Sequence, residues 1–267
     1  MKYGCCLNMV ATQPDGTGIE RIEDLKKAGF DYVELPTAQM AALTDGEFAT
    51  LVQRVKNAGI PCETSNNLFP ITMRLTGPDV NKEEIRSYAQ KAFARDEQLG
   101  IQYCVFGSGP AKNVPDGFSF KKAFDQVVDL LHMAAPIAKE HGIGIVIEPL
   151  RKAECNLINS FAEGVNLAKA ANESNVRVLV DYYHLVEENE PVQHLIDDGK
   201  EYLRHVHIAN PDGRVYLADT KESDYGVFAN ALKTIGYNGR ISCEAYLKNE
   251  FEIDAPAALK TLKSVFE

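Results

Sequence analysis

Short apolar runs of β character alternate with longer amphipathic segments along the whole chain. The runs are "YGCCLNM" (3–9), "DYVEL" (31–35), "IPCET" (60–64), "QYCVFG" (102–107), "IGIVIE" (143–148), "RVLVD" (177–181), "HVHIA" (205–209) and "RISCEA" (240–245). Each is too short for a stable helix and is bounded by polar or turn-forming residues. Between them, "IERIEDLKKAG", "DGEFATLVQRVKNAG" and "NKEEIRSYAQKAFARDEQLG" space their apolar residues helically and end on a glycine suited to a helix C-cap. Further helical segments are "GFSFKKAFDQVVDLLHMAAPIAKEHG", "SFAEGVNLAKAAN", "PVQHLIDDG", "YGVFANALKTIG" and "DAPAALKTLKSVFE". Every strand is thus followed by a helix, which implies right-handed βαβ units and a parallel sheet. Eight such units of roughly 33 residues predict an α/β fold, a single-domain (β/α)8 TIM barrel spanning 1–267. A doubly wound open sheet shares the alternation, but no G-x-G-x-x-G turn follows the first run, and "GSGPAKN" (107–113) is only a partial glycine loop.

Composition narrows the function classes. A 45% hydrophobic content supports a large core, and no linker or low-complexity tract divides the chain. The net charge of −10 is spread among interspersed acids and bases, which argues against a nucleic-acid partner. The six cysteines lack C-x-x-C spacing and read as reduced, buried thiols. "MKYGCCLNMV" is too short and too polar for a signal or membrane segment, so a cytoplasmic protein is expected.

A barrel places its chemistry at the C-terminal ends of its strands. The fifth run ends at Glu148, the sixth at Asp181, the seventh carries His205 and His207, and the eighth reaches Glu244. One strand-end acid is ordinarily a cap or an ion-pair partner, and one strand histidine a core residue. Four such groups at one mouth would be uncompensated without a cation. Carboxylates plus an imidazole form a hard donor set suited to Mn²⁺, Mg²⁺ or Co²⁺, and no thiolate joins them as structural zinc would favour. His205 and His207 share a strand face, and His207, nearer the strand end, is the expected ligand. His132, His141 and His194 fall in helical or loop segments and are expected to be structural. Glu34 and Asn67 occupy further mouth positions, where substrate contact is weighed against the favoured structural role.

The motifs "IEP", "DYYH", "HVHIAN" and "CEAY" resemble the xylose isomerase-like TIM barrels, the sugar-phosphate isomerase/epimerase superfamily, over nearly the whole chain. The ketose 3-epimerase (tagatose/psicose 3-epimerase) branch is nearest, beside hydroxypyruvate isomerases and inosose dehydratases. The resemblance implies one divalent metal ion, Mn²⁺ before Mg²⁺ or Co²⁺, held by Glu148, Asp181, His207 and Glu244. It also implies substrate contacts from Glu154, His184 and Arg214, a sugar or polyol substrate, and a homo-oligomer. Two features depart from the branch. The chain has no tryptophan to stack on a sugar, leaving Tyr3, Phe106, Tyr183 or Tyr246 for that role, and "HVHIANPDGR" differs from the glycine- and acid-rich strand-seven motif.

Removing a proton beside a carbonyl needs a base and stabilisation of the enolate oxygen. Glu148 and Glu244 are expected to flank a metal-chelated cis-enediolate as the catalytic pair, giving epimerisation, isomerisation or dehydration according to where the proton or hydroxide goes. The endonuclease IV branch needs more histidine ligands than this chain places. A non-catalytic sugar-binding barrel would have lost a ligand or a flanking glutamate, and none is lost.

Overall fold

The computed structural model describes residues 1–267. Its strands are β1 (Lys2–Cys6), β2 (Tyr32–Pro36), β3 (Cys62–Asn66), β4 (Tyr103–Phe106), β5 (Gly144–Ile147), β6 (Val176–Asp181), β7 (Leu203–Ile208) and β8 (Arg240–Cys243). All pair in parallel in chain order, and β1 closes on β8 through Gly4 opposite Ser242 and Cys5 opposite Cys243. The chain forms a single-domain TIM barrel, as the alternation of elements predicts.

Local chemistry explains where the helices start and stop. Asp45–Ala58 opens with a full capping box, Thr44 accepting from the Glu47 N–H while the Glu47 carboxylate accepts from the Thr44 N–H. Gly29, Gly59 and Gly100 end their helices in the left-handed conformation, and Asn172 does so after Phe161–Ala171. Strand limits differ from the sequence reading by up to three residues. The first run leaves the sheet after Cys6 and continues as a 3₁₀ turn, Leu7–Val10. β3 begins at Cys62 because Pro61 has no N–H to donate; its carbonyl accepts from the Val33 N–H at 2.9 Å.

β5 and β8 stop at Ile147 and Cys243, which makes Glu148 and Glu244 the first residues beyond them. Their N–H groups still donate to Phe106 O and Ile208 O, each at 3.1 Å, so both carboxylates are carried on backbone pinned to the neighbouring strand. The apolar core lies chiefly between barrel and helices, while Val105, Val146 and Leu179 form a separate small cluster. All six cysteines are buried and free. No helix is long and apolar enough to cross a membrane.

Candidate metal centre and active site

Glu148, Asp181, His207 and Glu244 converge, one ligand atom from each lying within 4.8 Å of all the others, and all four side chains are buried. His207 Nδ1 stands 3.2 Å from Glu148 Oε1 and 3.3 Å from Glu244 Oε2. Asp181 also caps its own following turn, Tyr182–Glu187, by accepting from the Tyr183 N–H. A strand end that opens directly into a helix therefore holds this carboxylate in place.

Beneath them lies a layer of hydrogen bonds centred on Glu34. Its Oε1 faces His207 Nε2 at 2.9 Å, and its Oε2 faces His205 Nε2 at 2.8 Å while accepting from Thr64 and Ser242. Glu34 is fully buried, which favours its structural role over substrate contact: β2 runs on through Pro36, and Glu34 sits two residues below the strand end. Burial would push its carboxyl up, but His207 and His205 outweigh that and hold it well below the usual range. An ionised Glu34 fixes the His207 ring by taking the Nε2 proton as its hydrogen bond, turning Nδ1 toward the three carboxylates. Asn67 does border the cleft, in a left-handed conformation with φ of 51°.

Above the four donors, Arg214 comes from the turn after β7. Asn210 N donates to Val215 O and Tyr246 N to Arg214 O, both at 2.8 Å, tying the "NPDGR" turn to the chain leaving β8. The Arg214 guanidinium donates to Glu244 at 2.6 Å and reaches Asp181 and Glu154 at 3.4 Å. Tyr183 lies between two guanidinium groups, with Arg151 5.0 Å and Arg214 4.9 Å from its ring centre, and Arg151 also holds Glu154 at 2.8 Å. His184 Nδ1 accepts from the Arg151 N–H at 3.3 Å, leaving its buried Nε2 without a hydrogen-bond partner, 3.6 Å from Asp181 and 4.0 Å from Glu154. Burial, with Arg214 nearby, keeps this imidazole neutral, its pKa well below the usual value.

Glu148, Glu154, Arg214 and Glu244 line a cleft of about 380 Å³ that also meets Asn8, Ser108 and Tyr246. A larger groove of about 490 Å³ between helices Lys82–Leu99 and Phe120–Glu140 contains no comparable convergence, so chemistry rather than size locates the site. Of the four aromatics considered for stacking, Tyr246 lines the cleft and is 52% exposed. Tyr3 opens its strand at the opposite end of the barrel, its N–H bonded to Asp31, and Phe106 is fully buried. His132 pairs with Glu173, His141 with the exposed Glu97 and His194 with Glu190, whose side chain is nearly buried.

The donor set fits a divalent cation. Burial, the Glu244 charge and the Glu148 charge are opposed by Arg214 at Asp181, yet its carboxyl still rises to about 7. Burial and then Glu244 push Glu148 up as well, while at Glu244 the effect of burial is outweighed by His207 and Arg214, which hold it at about 2. Three carboxylates this close resist ionising together, and a cation among them removes that conflict.

The family model described as xylose isomerase-like TIM barrel matches residues 22–265. The chain belongs to the xylose isomerase-like TIM barrel family. It is 28% identical over 258 residues to the ketose 3-epimerase of Arthrobacter globiformis, covering 92% of this chain and 84% of that protein. It is 26% identical over 239 residues to the D-psicose 3-epimerase of Agrobacterium fabrum strain C58, covering 85% of this chain and 78% of the relative. A solved D-psicose 3-epimerase, crystallised in the presence of D-fructose, superposes with a TM-score of 0.86 at 21% identity over 100% of this chain and 99% of its own, a likeness of fold.

Proposed function

We propose that this barrel is a divalent-metal-dependent sugar isomerase of the ketose 3-epimerase kind, acting through a cis-enediolate between Glu148 and Glu244. The observation that carries the reading is the pair of glutamates reaching His207 Nδ1 from β5 and β8, at 3.2 and 3.3 Å, with the cleft open above both. The relatives' names give the sugar class its first support. Held by Glu148, Asp181, His207 and Glu244, a divalent cation, Mn²⁺ before Mg²⁺ or Co²⁺, supplies Lewis-acid polarisation of the substrate carbonyl.

The chain's own residues do the rest. One of the two glutamates takes the proton beside the carbonyl, and the other returns one to the opposite face, which inverts the carbon. His184, neutral and with Nε2 unpartnered, donates to a substrate hydroxyl or carbonyl oxygen. Glu154, steadied by Arg151, accepts from a hydroxyl, and Arg214 donates to an oxygen at the same end. Tyr246 offers an exposed aromatic face at the cleft of a tryptophan-free chain. A hydroxypyruvate isomerase or an inosose dehydratase would share the first proton abstraction and diverge after it. A pair of carboxylates on separate strands favours epimerisation, because return to the opposite face needs two groups.

The test is a panel of ketoses, hydroxypyruvate and inosose incubated in D₂O with added Mn²⁺, Mg²⁺ or Co²⁺. Deuterium at C3 of a ketose with inversion there is the expected result; label at C1 would mark isomerisation. Bound metal with no exchange in any of these substrates would overturn the reading. Replacing Glu244 with Gln should lower turnover by roughly 10²–10⁴-fold, and a fully active E244Q would remove the two-glutamate mechanism.

A further inference from the structure

Lys112 lies in the "GSGPAKN" loop between β4 and β5 and is only 1% exposed. Its Nζ donates to Gly107 O at 2.5 Å and to Glu148 O at 3.1 Å, stands 5.2 Å above the Phe106 ring, and forms no ion pair. Burying an ammonium without a counter-charge is costly even when carbonyls accept its hydrogen bonds. A methionine of similar length would fill the space without that cost, so the charge and its donors serve something other than packing.

What they serve is visible in the two carbonyls. Gly107 and Glu148 follow β4 and β5 immediately, where the strand ladder has made its last bond, Glu148 N to Phe106 O. Beyond it Lys112 is the next link between the two chain ends, and Asn156 joins them again further out through Asn113 and Val114. Gly107 also leaves the space that the Glu148 carboxylate fills, since a Cβ there would overlap Glu148 Oε2. The loop carrying Lys112 is itself anchored: Leu75 N donates to Ala111 O at 3.0 Å, Thr76 Oγ1 to Asn113 O at 2.7 Å, and Arg74 to Asn113 O at 2.9 Å.

We infer that Lys112 is a positioning residue for Glu148: by clasping the Glu148 and Gly107 carbonyls it fixes the peptide from which the carboxylate projects into the metal centre. The inference rests on the proposed role of Glu148. It extends that role to a buried residue behind the cleft, on the loop whose Gly107 and Ser108 line it.

The experiment compares wild type, K112M and K112Q as full chains. It measures the Mn²⁺ dissociation constant by calorimetry, the visible spectrum of the Co²⁺-loaded protein, and kcat and KM for the best ketose. In folded K112M the Mn²⁺ dissociation constant should rise at least about 10-fold, in the range typical when the support of a metal ligand is removed. Its Co²⁺ bands should shift, and kcat should fall at least about 10-fold with KM within about twofold, because the groups that bind the sugar are untouched. K112Q, which keeps one donor, should fall between. Wild-type metal affinity, spectrum and kcat in K112M, or a loss confined to KM, would overturn the inference; if K112M does not fold, K112Q decides on the same readings. A wild-type protein that binds none of Mn²⁺, Mg²⁺ or Co²⁺ would sink the functional reading and this inference together. A wild type that binds Mn²⁺ no better than K112M sinks this one alone.

Discussion

Glu34 shows how much one residue's depth matters. Read along the sequence it is a strand-end acid like Glu148, yet in the barrel it lies under His207 and touches only protein. The difference has a simple origin: the apolar run stops at Leu35, whereas in the barrel Pro36 still pairs with Asn66, which lowers Glu34 by one layer. Glu148, Asp181, His207 and Glu244 were legible because each strand's pattern breaks at its charged residue. The Glu34 contact was not, because it joins β2 to β7 across the barrel and depends on their relative stagger. A Glu34→Gln substitution keeps the shape but removes the anionic acceptor that orients His207. The expected consequence is a weakening of Mn²⁺ binding by roughly 10–100-fold, read by calorimetry; unchanged affinity would show that His207 needs no such partner.

Among the elements, helix Lys82–Leu99 carries a second buried acid that is unrelated to the site. Asp96 accepts from Thr37 Oγ1 at 2.9 Å and Ser65 Oγ at 3.0 Å, linking this helix to β3 and to the short helix Thr37–Ala42 that follows β2. No cation faces it; the titratable groups that feel its charge are Cys62, Cys104 and Tyr88. Burial pushes its carboxyl up to about 7, against hydrogen bonds that act to lower it. The folded protein therefore binds a proton here more tightly than the unfolded chain. This contribution is fully present below about pH 4 and is lost as pH rises through 7, amounting to about 4 kcal/mol at most. Chemical denaturation of wild type and D96N between pH 5 and 8 tests it: the wild type should lose stability relative to D96N as pH rises, and parallel curves would refute the assignment. Helix ends marked by a capping glycine were readable, as at Gly59 and Gly100, because the cap acts through neighbours in sequence, whereas Gln193–Tyr202 runs three residues past Gly199 and Phe251–Phe266 starts three before Asp254. Strand ends drifted, as at Pro61 and Leu7, because they depend on the partner strand.

For the whole molecule, closure of eight parallel strands brings residues from β5, β6, β7 and β8 to one mouth and leaves three carboxylates there close enough to oppose one another. A ligand that relieves this conflict in the folded state should stabilise the entire barrel. With free Mn²⁺ at 100 times its dissociation constant the gain is about 2.7 kcal/mol, or a Tm increase of roughly 5 °C for a chain of this size. Thermal melts with Mn²⁺ and with a chelator should differ by that order in the wild type and hardly at all in D181A; identical melts of the wild type in both conditions would count against a metal held by these four residues. Fold class and barrel mouth could be read from the chain because they follow from periodicity and strand order. The cleft's upper wall does not follow from periodicity: Arg214 was expected from the resemblance alone, and it gains its position from a backbone bond with Tyr246 that spans the last two strands.

Tyr246 has a practical consequence for optical work. The chain contains no tryptophan, so its ultraviolet emission comes from tyrosine alone, and Tyr246 is the half-exposed aromatic side chain bordering the cleft. Y246W would place a solitary indole at the rim, giving a fluorescent reporter that responds to sugar arrival separately from chemical turnover, with no other tryptophan signal to subtract.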